Sequence, residues 1–82
     1  MKAKIKINIK YKNPEILYQS LLPDNIQIPK GLNIDMKYDN ENLNIILEMI
    51  IKDPKDILTL RNTADEILTH VNSIIEVLDN LK

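Results

Sequence analysis

Residues 53 to 81, DPKDILTLRNTADEILTHVNSIIEVLDNL, carry one uninterrupted helical pattern. Apolar side chains at Ile57, Leu60, Ala64, Ile67, Val71, Ile74, Leu78 and Leu81 recur alternately three and four residues apart. That is the repeat of a helix with one face buried along its whole length. Leu68 and Ile75 add a second row and widen the stripe beyond the narrow seam of a coiled coil. Asp53-Pro54 opens the pattern with a capping side chain and a proline at the first helical position, and Asp56 adds a carboxylate to the first turn. At about 1.5 Å per residue the helix spans roughly 40 Å, against about 30 Å for a strand of roughly nine residues. It should overhang the chain's own sheet, which makes the stripe a surface for a partner. A plainer reading, that the stripe only covers that sheet and a second helix, stands beside it.

The rest of the chain supplies the sheet. Residues 3 to 11 alternate, with Ala3, Ile5, Ile7, Ile9 and Tyr11 on one face and Lys4, Lys6, Asn8 and Lys10 on the other, a half-buried strand. Asn13-Pro14-Glu15 is a helix start, and Pro23 stops that helix early. Leu17 and Leu21 lie one turn apart on its core side, with Tyr18 and Leu22 flanking them. Turn formers punctuate the stretch from Pro23 to Gly31, where Ile26 and Ile28 are placed to pin it to the body.

Leu32, Ile34, Met36 and Tyr38 define a second strand over 32 to 38, and Asp39-Asn40-Glu41-Asn42 a hairpin turn. A third strand runs from Leu43 to Ile51, with Leu43, Ile45, Leu47, Met49 and Ile51 inward and Ile46 and Ile50 on its other face. Apolar residues on both faces suit the middle of a sheet. The expected fold is α+β: a β-α-β-β-α chain, one domain over residues 1 to 82, with a three-stranded antiparallel sheet in the order 1-3-2 and both helices on one face.

Composition narrows the function. At 82 residues the chain buries only about 60–65% of its unfolded surface. Domains of this size lean on disulfides, a metal or association. With no cysteine and one histidine, association is the route left, and a disulfide-stapled secreted scaffold is excluded. The N-terminus alternates Lys with Ile and forms no signal-peptide core, and no apolar run approaches the ~20 residues that span a bilayer. A soluble, cytoplasmic protein with no membrane partner is expected. Abundant Ile, Lys and Asn fit an AT-rich genome.

Chemistry is hard to assemble. The carboxylates are scattered over turns and helix surfaces, Ser20 and Ser73 have no neighbouring base, and one glycine cannot build a phosphate loop. His70, at the edge of the stripe between Ile67 and Val71, reads as a solvent-flanking or interface histidine. The expectation is a non-enzyme with no cofactor and no metal. The net charge of −1 hides an asymmetry: Lys2, Lys4, Lys6, Lys10 and Lys12 lie near the N-terminus, whereas the long helix carries Asp53, Asp56, Asp65, Glu66, Glu76 and Asp79. Lys4, Lys6 and Lys10 are candidates for contact with RNA phosphates. The other reading of the same lysines is a solvated face, or an edge strand protected against aggregation.

Two stretches resemble a known family. Tyr18-Gln19-Ser20-Leu21-Leu22-Pro23-Asp24 resembles the Y-x-x-L-x-P-D element that ends the first helix of the small Pcc-type subunit of KEOPS. The run Leu60-Arg61-Asn62-Thr63-Ala64-Asp65, followed by Ile67-Leu68, is similar to that family's second element, at its order and spacing. KEOPS makes threonylcarbamoyladenosine in tRNA. The resemblance implies a non-catalytic archaeal subunit that dimerises and docks through its helices on the ASKHA-fold catalytic subunit, meeting tRNA only through the complex. On this reading Leu17, Leu21, Arg61, Leu68 and Ile75 form the partner face, and Ile46 and Ile50 are dimer candidates. The planar fork of Arg61 suits a fixed carboxylate or carbonyl near the end of the first helix, such as Asp24; the plainer reading is an ordinary surface arginine. Asp65 stands where the family usually shows Asn, and Asn62 replaces a small or aliphatic residue. These departures leave open this subunit or its paralogue, and so a homodimer or a heterodimer with that paralogue. The runner-up is a stand-alone KH-like nucleic-acid-binding module, which needs a Gly-rich clamping loop.

Overall fold

The computed structural model describes residues 1–21 and 28–81. The elements are β1 (Lys2–Lys10), α1 (Pro14–Leu21), β2 (Leu32–Tyr38), β3 (Asn42–Ile50) and α2 (Pro54–Asp79). The sheet is antiparallel with the order β1-β3-β2, as the alternation and connection rules led us to expect. The expected roles of Leu22, Pro23, Asp24 and Ile26 lie outside the described residues.

The pleat sorts the side chains. Leu43, Ile45, Leu47 and Met49 of β3 are buried, and the residues between them are half-buried or exposed on the outer face. Leu17 and Leu21 of α1, Leu32 of β2, and Leu60, Ala64, Ile67 and Val71 of α2 close the core over the inner face. Both helices therefore lie on the same side of the sheet.

Ladder hydrogen bonds also alternate. The Tyr11 N–H donates to the Glu41 carbonyl at 3.0 Å, and the Ile51 N–H to the Met1 carbonyl at 2.7 Å. They carry the β1–β3 pairing one residue past the ends of the strands, to Tyr11 and Ile51, the ends that the alternation predicts. In this register odd residues of β1 face odd residues of β3. Because residues of an antiparallel pair exchange both bonds at alternate positions, odd residues of β1 turn N–H and C=O toward β3, and even residues turn theirs to the open edge. At the hairpin the Asp39 N–H donates to the Asn42 carbonyl at 2.9 Å, so the even residues of β3 bond to β2.

Local caps fix the ends. Asp53 accepts from the Lys55 N–H at 2.7 Å, while Asp56 reaches back to the Asp53 N–H at 3.2 Å and the Lys52 N–H at 2.7 Å, a reciprocal capping box. Asp39 accepts from the amides of Glu41 and Asn42 at 2.9 and 2.8 Å and closes the hairpin. Gly31, at φ 87°, makes the left-handed turn into β2. Thr63 is buried on α2, and its hydroxyl donates to the Thr59 carbonyl at 2.8 Å.

Two outcomes follow. Ile67→Ala removes a fully buried side chain from the centre of the core, and chemical denaturation should show a loss of about 2–5 kcal/mol. The second concerns acid. Backbone donors hold the carboxyls of Asp39 and Asp56 below the ordinary aspartate range, so the unfolded chain binds these protons more readily than the native one. Their stabilisation is full above the ordinary aspartate pKa of about 3.9 and is lost as the pH falls through the folded-state values. Melting from pH 7 to pH 2 should show that acid limb, and Asp39→Asn with Asp56→Asn should flatten it.

Candidate partner interface

The long stripe divides by depth. Its middle, from Leu60 to Val71, is consumed by the chain's own core. Its two ends, Ile57 in the first turn of α2 and Leu81 just past the last, are exposed, Leu81 by 74%, and so are Leu58 and Val77, which lie off the stripe. Of the second row, Leu68 is 39% exposed and Ile75 is half-buried against the core. Leu17 and Leu21, expected on the partner face, are instead 0% and 1% exposed. The eight-residue α1 packs on β2, β3 and α2 together, which leaves its one apolar side no free area. Its exposed apolar residue is Ile16.

Between α1 and the last turns of α2 runs a shallow, mostly apolar groove of about 280 Å³, lined by Ser20, Ser73, Ile74, Val77 and Leu78. The Ser73 hydroxyl donates to the Thr69 carbonyl at 3.1 Å, a helix-internal bond. Arg61 is exposed on α2 and forms no ion pair among the described residues, which do not include Asp24. The ring of His70 is half-buried, and its Nε2 has no hydrogen-bond partner among them.

The outer face of the sheet is mixed. Lys2 and Lys4 both pair with Glu48 of β3, at 3.3 and 3.5 Å, and these lysines, Lys2 foremost, draw the Glu48 carboxyl below its ordinary range. Lys6 and Lys10 have no acidic partner among the described residues. Asn8 donates to Asn44 across the strands at 2.6 Å. Ile46 lies in register between Lys6 and Asp35, and Ile50 opposite Lys2. The two isoleucines named as dimer candidates are thus set apart among charges and form no continuous apolar patch.

The structure adds a tie that the sequence pattern did not disclose. The Tyr11 hydroxyl donates to Asp79 Oδ1 at 3.1 Å, and Lys12 Nζ lies 3.6 Å from the same oxygen. Desolvation, then the Asp79 carboxylate, raises the Tyr11 pKa. These contacts fasten the end of α2 to the end of β1 and wall a cleft with Lys10, Asn40 and Glu41. Tyr18 and Tyr38 meet with ring centroids 4.9 Å apart and join α1 to β2. Among the described residues no group of His, Asp or Glu side chains is arranged to hold a metal ion, and no helix is long and apolar enough to cross a membrane.

No family model matches the sequence, and no curated protein does. Among solved structures, the chain is similar to a chain of the crystal structure of the binary complex Gon7–Pcc1, at a TM-score of 0.73 and 22% identity. The match covers 98% of this chain and 96% of that one. The fold is that of a Gon7–Pcc1 subunit. Identity this low establishes the architecture, over nearly the full length of both chains.

The division of α2 between core and surface can be tested directly. Val77→Glu should leave stability within about 0.5 kcal/mol of the parent, as at other exposed positions. Val71→Glu, which buries an unpaired charge, should abolish cooperative folding at ambient temperature. Urea unfolding followed by circular dichroism separates the two.

Proposed function

We propose that the chain is a non-catalytic scaffold subunit of a KEOPS-type complex, which pairs with a second small subunit and docks through its helices on the catalytic subunit. The observation that carries this reading is the fold likeness, which runs end to end and reaches a chain crystallised as half of a two-protein complex. The residues Tyr18 to Asp24 and Leu60 to Leu68, which resemble the Pcc-type elements, point the same way. The physical surface supports it too: the groove beside Val77, together with exposed Ile16 on α1, Leu68 on α2 and Leu81 just past the end of α2, offers apolar area that the monomer leaves wet. On this reading tRNA meets the chain within the assembled complex, in the cytoplasm, and the chemistry belongs to the larger subunit.

A KH-like nucleic-acid module has less support. That module needs a glycine loop between helices to clamp the backbone, and the chain's one glycine, Gly31, leads into β2.

Co-expression with the KEOPS subunits of the same organism, followed by size and mass analysis, tests the proposal. The expected result is co-purification with the catalytic subunit, weakened at least about tenfold (about 1.4 kcal/mol) by Leu68→Glu with Val77→Glu while the fold is retained. A chain that captures no subunit, or that binds isolated tRNA tightly and salt-sensitively in their absence, overturns it.

A further inference from the structure

Beyond the helical face, the sheet has an edge with a readable chemistry. The even residues of β1 (Lys2, Lys4, Lys6, Asn8 and Lys10) combine two properties. Their backbone N–H and C=O groups point to the open edge, as the Tyr11–Glu41 and Met1–Ile51 bonds require. Their side chains stand on the outer face, exposed. An extended segment added along β1 therefore forms its hydrogen-bonded pairs with these residues, and each of its outer-face side chains sits directly opposite a lysine or Asn8.

From this we infer that the β1 edge is charge-selective: it accepts an acidic strand from a different protein chain and rejects a second copy of itself. In an antiparallel pairing of two β1 edges, even residues face even residues. Centring the two-fold on Lys6 sets Lys6 against its own copy and Lys2 against Lys10. Shifting by one step either way sets Lys4 against Lys6, or Lys4 against Lys10. Every central register thus opposes like charges, a repulsive element that discriminates between partners. The outer row of β2 (Asn33, Asp35 and Lys37) carries both signs and has no such bias.

The edge also specifies its partner's spacing. Glu48 already serves Lys2 and Lys4, whereas Lys6 and Lys10 remain without an acidic partner among the described residues. The complementary segment carries two acidic residues four positions apart, with a polar residue midway opposite Asn8. Apolar residues between them continue the inner row of Ile7 and Ile9.

A charge-swapped copy of the protein is itself a suitable acidic strand. The Lys2→Glu/Lys4→Glu/Lys6→Glu/Lys10→Glu variant, with Glu48→Lys to keep its cross-strand ion pairs, is mixed with wild type at low salt, with folding of each checked by circular dichroism. Association is measured by native mass spectrometry and amide exchange. The wild-type–variant pair should form at least about tenfold more tightly than either protein pairs with itself, with slowed exchange at the Lys6, Asn8 and Lys10 amides and a gain that shrinks at high salt. A Lys6→Gln/Lys10→Gln variant, freed of the repulsion, should self-associate along β1 more than wild type and gives a second reading if the first variant does not fold. Mixing without preference, or edge amides that stay unprotected in both experiments, overturns the inference and leaves the lysines as edge protection alone. So does a single-stranded RNA oligonucleotide that binds through Lys6 and Lys10 while no mixed pair forms.

Discussion

Leu43, Ile45, Leu47 and Met49 project from the central strand into the space beneath the two helices, and the other elements take their places from that row. The strand is committed on three sides. Its odd residues bond to β1, its even residues bond to β2, and its odd side chains fill the core. A one-residue slip of register would carry the apolar row to the outer face, so burial on one side fixes the pairing on both edges. What remains uncommitted is the outer face of the sheet, the two outer edges, and whatever the helices do not spend on the core.

Those remainders are where function has to be sought. The 26-residue α2 is longer than the strands of 7 and 9 residues beneath it, and the molecule extends 46 Å along one axis against 20 and 17 Å along the others. Only the middle of the stripe is needed to cover the sheet. Its ends stay wet, and a groove opens between α1 and the last turns of α2. A fold so economical leaves an ample perimeter. Two kinds of perimeter coexist, an apolar helical margin suited to shape-complementary docking and a charged strand edge suited to selective pairing. Their chemistry differs, so they can serve different partners at once.

The sequence was most legible where the physical cause is local. Period-two alternation placed all three strands to within a residue, because the pleat puts neighbours on opposite faces whatever the context. The Asp53-Pro54 and Asp39 to Asn42 signals located the start of α2 and the hairpin because those side chains satisfy backbone amides within a few residues. The candidate interface was legible only in part. Leu17 and Leu21 carry the same apolar signal whether they meet a partner or their own sheet, and the structure gives them to the sheet. No pattern within Tyr11 or Asp79 announces their hydrogen bond, since 68 residues separate them. The pairing of Lys2 and Lys4 with Glu48 depends on strand register, which decides which lysines are left over.

By itself, then, the sequence determined the elements, their order, the inward faces and the charge of the first strand, all properties of neighbours along the chain. Only the tertiary structure decided how the stripe of α2 divides between core and surface. It also decided that the even residues of β1 set a lysine or Asn8 side chain on the outer face while turning their free backbone groups toward the open edge. Both depend on where distant segments come to rest, and a helix or strand cannot show which of its faces is covered until the covering element is in place.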